Sequence, residues 1–124
     1  MHKLILILGA ISAGLSVAIG AFGAHALKAS LEANQRVETF NTAVNYQIYH
    51  SLGLLLIGCL MINLPHKYMT YAAWSHLIGI LFFSGSLYIL CLTGNTKWGA
   101  VTPIGGLFFI VGWCLLVVAV IKQA

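Results

Sequence analysis

Four apolar runs, approximately Leu4 to Ala26, Thr42 to Leu64, Tyr71 to Leu92 and Gly99 to Ile121, constrain this 124-residue chain more than any other feature. A helix rises about 1.5 Å per residue, so about 20 apolar residues are needed to cross the ~30 Å hydrocarbon layer of a bilayer. Each run reaches that length. The short segments around them carry nearly every charge: Lys28, Glu32, Arg36 and Glu38 after the first run, His66 and Lys67 after the second, Lys97 before the fourth and Lys122 at the end. The expected fold is an all-α membrane protein, four transmembrane helices in an up-down bundle, as one integral membrane domain over residues 1–124. Composition agrees, since 6% of the residues are charged against about a quarter in soluble domains.

The stretch "GAFGAHALK" at residues 20–28 ends the first run and has the small-x-small look of a signal-peptide cleavage site around Ala24-His25-Ala26. The run before it is longer than the 7 to 15 residues or so of a signal core. It also carries Gly9, Ala13, Ser16, Gly20 and Gly23 at steps of four and three, a stripe on which a neighbouring helix can pack closely. It is therefore read as a retained first membrane helix. In the connection "LKASLEANQRVETFN", Leu27, Leu31, Val37, Phe40 and Val44 sketch an apolar face. That predicts a short interfacial helix between the first and second spans, or extra turns feeding the second, with Thr39 or Asn41 as a cap. Lys and Arg are split evenly, with Lys3, Lys67 and Lys122 on the terminal side and Lys28, Arg36 and Lys97 on the other. The positive-inside rule gives a tie, which the acids beside Lys28 and Arg36 and the α-amino group tip toward a cytoplasmic N-terminus.

Several functions are disfavoured. The six Lys and Arg are scattered, with no basic cluster to follow a row of phosphates, so no nucleic-acid partner is expected. Cys59, Cys91 and Cys114 lie in apolar runs without metal-ligand spacing, which reads as buried thiols and neither a disulfide framework nor a metal site. Both carboxylates, Glu32 and Glu38, sit in a connection and no GxSxG is present. No catalytic residue and no cofactor is expected, and the chain reads as a non-enzyme.

Comparing the four runs by depth gathers the unusual residues into one leaflet. His25 sits at the mouth of the first helix, and Thr42, Tyr46, Gln47 and His50 open the second on the same side. Ser84, Ser86 and Tyr88 end the third there, and Thr102 and Pro103 begin the fourth. Polar groups in hydrocarbon need partners. Tyr46 and His50, four apart, share a face, as do Ser84 and Tyr88, and these faces are expected to meet in a polar pocket. Pro103 is expected to free a carbonyl near Gly99. His76 is placed toward the opposite surface, so that a metal triad of His25, His50 and His76 would span most of the membrane. The aromatic residues Tyr68, Tyr71, Trp74 and Trp98 read as interfacial belts.

The motifs "GAFGAHALK", "FNTAVNYQIYH", "FSGSLY", "TPIGG" and the following "GW" at Gly112-Trp113 resemble, in order and spacing, the bacterial domain-of-unknown-function family 423, itself similar to eukaryotic transmembrane protein 256-like proteins. The resemblance covers nearly the whole chain. It implies a small four-helix protein of the bacterial cytoplasmic membrane that keeps the motif around His25, and it carries no activity with it. Three functional classes then stand. The leading one is a non-enzymatic structural, accessory or assembly protein working by helix–helix association, as a homo-oligomer through the first-helix stripe or beside a larger membrane complex. The alternative is a binding protein or small transporter for a lipid, quinone or other amphiphile in the polar pocket. The most remote is a haem protein ligated by His25 and His50.

Overall fold

A computed structural model describes residues 1–123. The chain folds as α1 (His2–His25), a short α2 (Lys28–Ala33), α3 (Val37–Asn63), α4 (Lys67–Thr93), a 3₁₀ turn (Thr96–Ala100) and α5 (Thr102–Gln123). Among the described residues there is no strand, and four helical segments are long and apolar enough to cross a membrane. The connection after α1 does both things its sequence suggested: α2 forms, and α3 begins at Val37, five residues before the expected start. Arg36, and neither Thr39 nor Asn41, stands at the N-cap of α3, with no side-chain capping bond. Gln35, at φ 56°, turns the chain into it.

The spans run up and down. At one end Gln123 Nε2 donates to the Pro65 carbonyl at 2.9 Å, tying the end of α5 to the α3–α4 turn. Met1 and His2 line the same depression as Pro65, His66 and Lys67. Both described chain ends thus gather with one connection. At the other end the Cys91 thiol approaches the Arg36 carbonyl at 3.9 Å, so the α1–α3 and α4–α5 connections lie together.

Consecutive spans are neighbours: α1 packs on α3, α3 on α4 and α4 on α5. The buried positions of α1 are Ile5, Gly9, Ser12, Ser16 and Gly23, and those of α5 are Gly105, Phe109, Gly112 and Ala119. Alternating steps of four and three keep such positions on one stripe along a helix, the spacing that seats one helix against another. Close approach makes some of these glycines necessary. A Cβ on Gly105 would run into the main chain of Phe83, and one on Gly112 into the His76 imidazole. The most apolar window is 44% buried in the second and third spans but 22% buried in the first and fourth. The inner pair therefore forms the core, and α1 and α5 each face outward over most of their circumference.

Three expectations change here. The stripe Gly9, Ala13, Ser16, Gly20 and Gly23 is covered by α3 of the same chain: Gly9 faces Leu54 and Leu55, Gly20 faces Val44 and Gly23 faces the Phe40 ring. It is not free for self-association. Pro103 stands in the first turn of α5, after the 3₁₀ turn, where no helical bond awaits its missing N–H. It begins a helix without opening one. Of the three cysteines, all free thiols, only Cys91 is buried, whereas Cys59 and Cys114 face outward as apolar surface.

Candidate functional site

The polar residues form three tiers, in each of which side chains reach a neighbouring helix. Nearest the α1–α3 connection, the hydroxyls of Ser86 on α4 and Thr102 on α5 are hydrogen-bonded at 2.6 Å. One tier deeper, Ser84 donates to the Ala43 carbonyl of α3 at 2.7 Å. At that level Gln47 is a hub. Its Nε2 donates to the Ser12 carbonyl of α1 at 2.9 Å, and its Oε1 accepts the Tyr88 hydroxyl of α4 at 2.6 Å. Ser51 Oγ and Ser12 Oγ, 2.6 Å apart, close the α1–α3 side. On the far side of α4, Ser75 donates to the Phe108 carbonyl of α5 at 2.6 Å. Each helix interface thus has a side chain donating to a main-chain carbonyl across it. A helical carbonyl keeps a second lone pair for such a bond, and in a medium without water these bonds fix register.

The third tier is aromatic. His50 Nδ1 lies 2.8 Å from the Tyr46 carbonyl and must donate to it, since a carbonyl only accepts. That fixes the neutral tautomer, whose Nε2 accepts the Trp113 indole N–H at 3.1 Å. Phe109 stacks on the His50 ring at 3.5 Å between centroids and 10° between planes. His76 lies 5.4 Å from His50, centroid to centroid, with Trp113 edge-on at 4.6 Å. His76 Nδ1 donates to the Ala72 carbonyl at 2.7 Å by the same logic. Its Nε2 is, among the described residues, the buried side-chain N or O atom with no hydrogen-bond partner.

The sequence expectations divide accordingly. Tyr88 meets Gln47, Ser84 reaches the Ala43 carbonyl one turn earlier on the same helix, and Ser86 meets Thr102. Tyr46 does not join Ser84 and Tyr88: it is 40% exposed and stacks on Phe83. The reason is rotational, since adjacent residues on a helix point about 100° apart: α3 presents Ala43 and Gln47 to Ser84 and Tyr88, whereas Tyr46 meets α4 on another side, at Phe83. Thr42 is half-buried and makes no side-chain hydrogen bond among the described residues, Pro103 is exposed, and His25 is exposed at the end of α1. A haem held by His25 and His50 has no basis in this geometry, because both ring nitrogens of His50 are engaged and His25 stands outside the bundle.

The expected separation of His50 and His76 is corrected as well. The additional turns at the starts of α3 and α4 move both rings toward mid-helix: His50 is about 20 Å along α3, and His76 about 14 Å along the antiparallel α4. The two helices hold them at a similar depth. Ser12, Ser51, Ser75 and Phe109 were not singled out beforehand, and Trp113 appeared only in the "GW" motif, with no place in the expected pocket. Three of the five had a usable signal: Ser12 completes the four-three series Ile5, Gly9, Ser12, Ser16, and Phe109 sits four after Gly105 and three before Gly112 in the matching series on α5. Ser51 lies four after Gln47 on the same face. Among the described residues no group of three or more His, Cys, Asp or Glu side chains could hold a metal ion.

Four apolar spans joined by short turns and fastened internally define a multi-pass α-helical membrane protein. The chain belongs to the family described as "Protein of unknown function (DUF423)", whose model matches residues 19–106. It is 47% identical over 120 residues to a UPF0382 membrane protein of Staphylococcus haemolyticus, a match covering 97% of each chain. It is 44% identical over 121 residues to the UPF0382 membrane protein YwdK of Bacillus subtilis, covering 97% of this chain and 98% of that one. No solved structure matches.

Proposed function

We propose that this is a non-enzymatic accessory protein of the bacterial cell membrane that acts by packing its outer helices against other membrane proteins or further copies of itself. One observation carries the reading: the polar side chains that could have lined a reaction site or a ligand pocket are bonded to one another across the helix interfaces. Gln47 engages Ser12 and Tyr88, Ser84 takes a carbonyl of α3, and Ser86 takes Thr102. Such a core holds a shape and leaves little chemistry over. What the molecule offers its surroundings is the outward side of α1 and α5, including Ile7, Ile11, Val17, Leu107, Ile110 and Val117. Cross-helix packing in membranes draws on such apolar surfaces through van der Waals contact.

The test is native mass spectrometry of the tagged full chain ejected directly from membranes. A stoichiometric protein partner or a homo-oligomer of fixed order is expected, and Leu107→Trp together with Ile11→Trp should reduce it while the monomer stays folded. A strictly monomeric species at every protein density tested would overturn the reading.

A further inference from the structure

Because α1 and α4 both lean on α3 and scarcely touch each other, a cleft remains between them beneath α2. Its deep part is a trough of about 420 Å³ walled by Ile19 and Phe22 of α1 and Leu92 of α4, with the Phe40 and Tyr88 rings beside them. The Tyr88 hydroxyl is turned away to Gln47, so this residue shows the trough only its ring. The Phe40 and Tyr88 rings pack 5.6 Å apart, which makes that wall continuous.

Beside the trough, toward the α1–α3 connection, lies a second depression of about 370 Å³, which shares Leu27 and Leu92 with it. The character of the lining changes there: Ser30, Asn34, Arg36 and Thr93 are among the residues that line it. Arg36 is half-buried, whereas Glu32 and Glu38, the only acids in the chain, are both exposed. Arg36 also precedes the first turn of α3, whose N-terminal end carries partial positive charge. An apolar trough below and a cation with several hydroxyl and amide groups above is the shape and polarity of one lipid molecule.

We propose that this cleft is a binding site for one anionic phospholipid of the surrounding bilayer, its acyl chain in the trough and its phosphate at Arg36. The lipid's charge is what separates it from the general annulus, because an electroneutral headgroup gains less from Arg36. The site is distinct from the polar tiers of the core, with which it shares only the Tyr88 ring, and it stands whether or not the accessory role holds.

The experiment reconstitutes the full chain in nanodiscs of phosphatidylcholine and phosphatidylglycerol in equal amounts and reads retained lipid by native mass spectrometry. Wild type should keep one phosphatidylglycerol in preference to phosphatidylcholine. Arg36→Gln should lower that preference by about fivefold, the factor that one cation near a charged headgroup contributes, and Arg36→Lys should largely restore it. Ala18 lines the trough from an exposed position, so Ala18→Trp should fill it without touching the core and lower retention of both lipids. Thermal unfolding in the same nanodiscs confirms that each variant is folded. Equal retention of the two lipids by wild type, undiminished phosphatidylglycerol preference in folded Arg36→Gln, or a dimer peak that Ala18→Trp abolishes would each overturn the proposal.

Discussion

His76 and His50 are chemically identical and lie side by side, yet the fold treats them differently. His50 has a donor for its Nε2 in Trp113 and an acceptor for its Nδ1–H in the Tyr46 carbonyl. His76 is fully buried with an Nε2 lone pair that nothing answers. Leaving a buried polar group unpaired costs about 1–3 kcal/mol, whereas exchanging it for an apolar group of similar size is close to neutral. His50→Leu should therefore destabilise by about 1–2 kcal/mol by stranding the Trp113 N–H, and His76→Leu should leave stability within about 1 kcal/mol of wild type or raise it. Unfolding by graded SDS in micelles checks both; equal losses would show that the lone pair is answered after all. At this scale the sequence was only partly legible. Spacing put Tyr46 with His50 on one face, but it could not say that Gln47 would be the hub. The choice between residues 46 and 47 is a rotation of α3 about its axis, and packing against α1 decides it.

At the scale of elements, the four-three series on α1 was visible, but one step was assigned to Ala13 where the buried residue is Ser12. That shift turns the stripe from a small-residue face for an external partner into a seam for α3. The length of α3 was harder to see, because Val37, Glu38 and Thr39 are too polar to count as span yet extend the helix by more than a turn. Their contribution carries His50 to the level of His76. The α4–α5 seam makes the sharpest prediction. On Gly105 a Cβ would meet the Phe83 main chain, which cannot swing aside, whereas at Gly14 nothing lies within 4 Å. Gly105→Ala should cost about 1–3 kcal/mol, and Gly14→Ala should be neutral or gain up to about 1 kcal/mol through helix propensity. Thermal unfolding of the pair in one detergent separates the seam from a general intolerance of glycine replacement; equal effects would mean that the spans do not cross at Gly105.

For the molecule as a whole, number of crossings was the most legible property, because bilayer thickness sets the length of every span and charges mark every turn. Which helices touch was less so. Short connections made consecutive spans neighbours, but nothing in the sequence announced that α1 and α4 would part to leave a cleft under α2, since its shape depends on how far α3 holds them apart. Internal fastening, outward-facing edge helices and that cleft all depend on one arrangement, with the α1–α3 and α4–α5 connections at one surface and both described chain ends with the α3–α4 turn at the other. Cysteine accessibility in intact cells and in inverted vesicles tests it directly. With Cys59, Cys91 and Cys114 replaced by alanine, single cysteines at His25 and Lys97 should react with a membrane-impermeant maleimide from one side, and those at Lys67 and Gln123 only from the other. Labelling of positions 25 and 97 from opposite sides would contradict the arrangement.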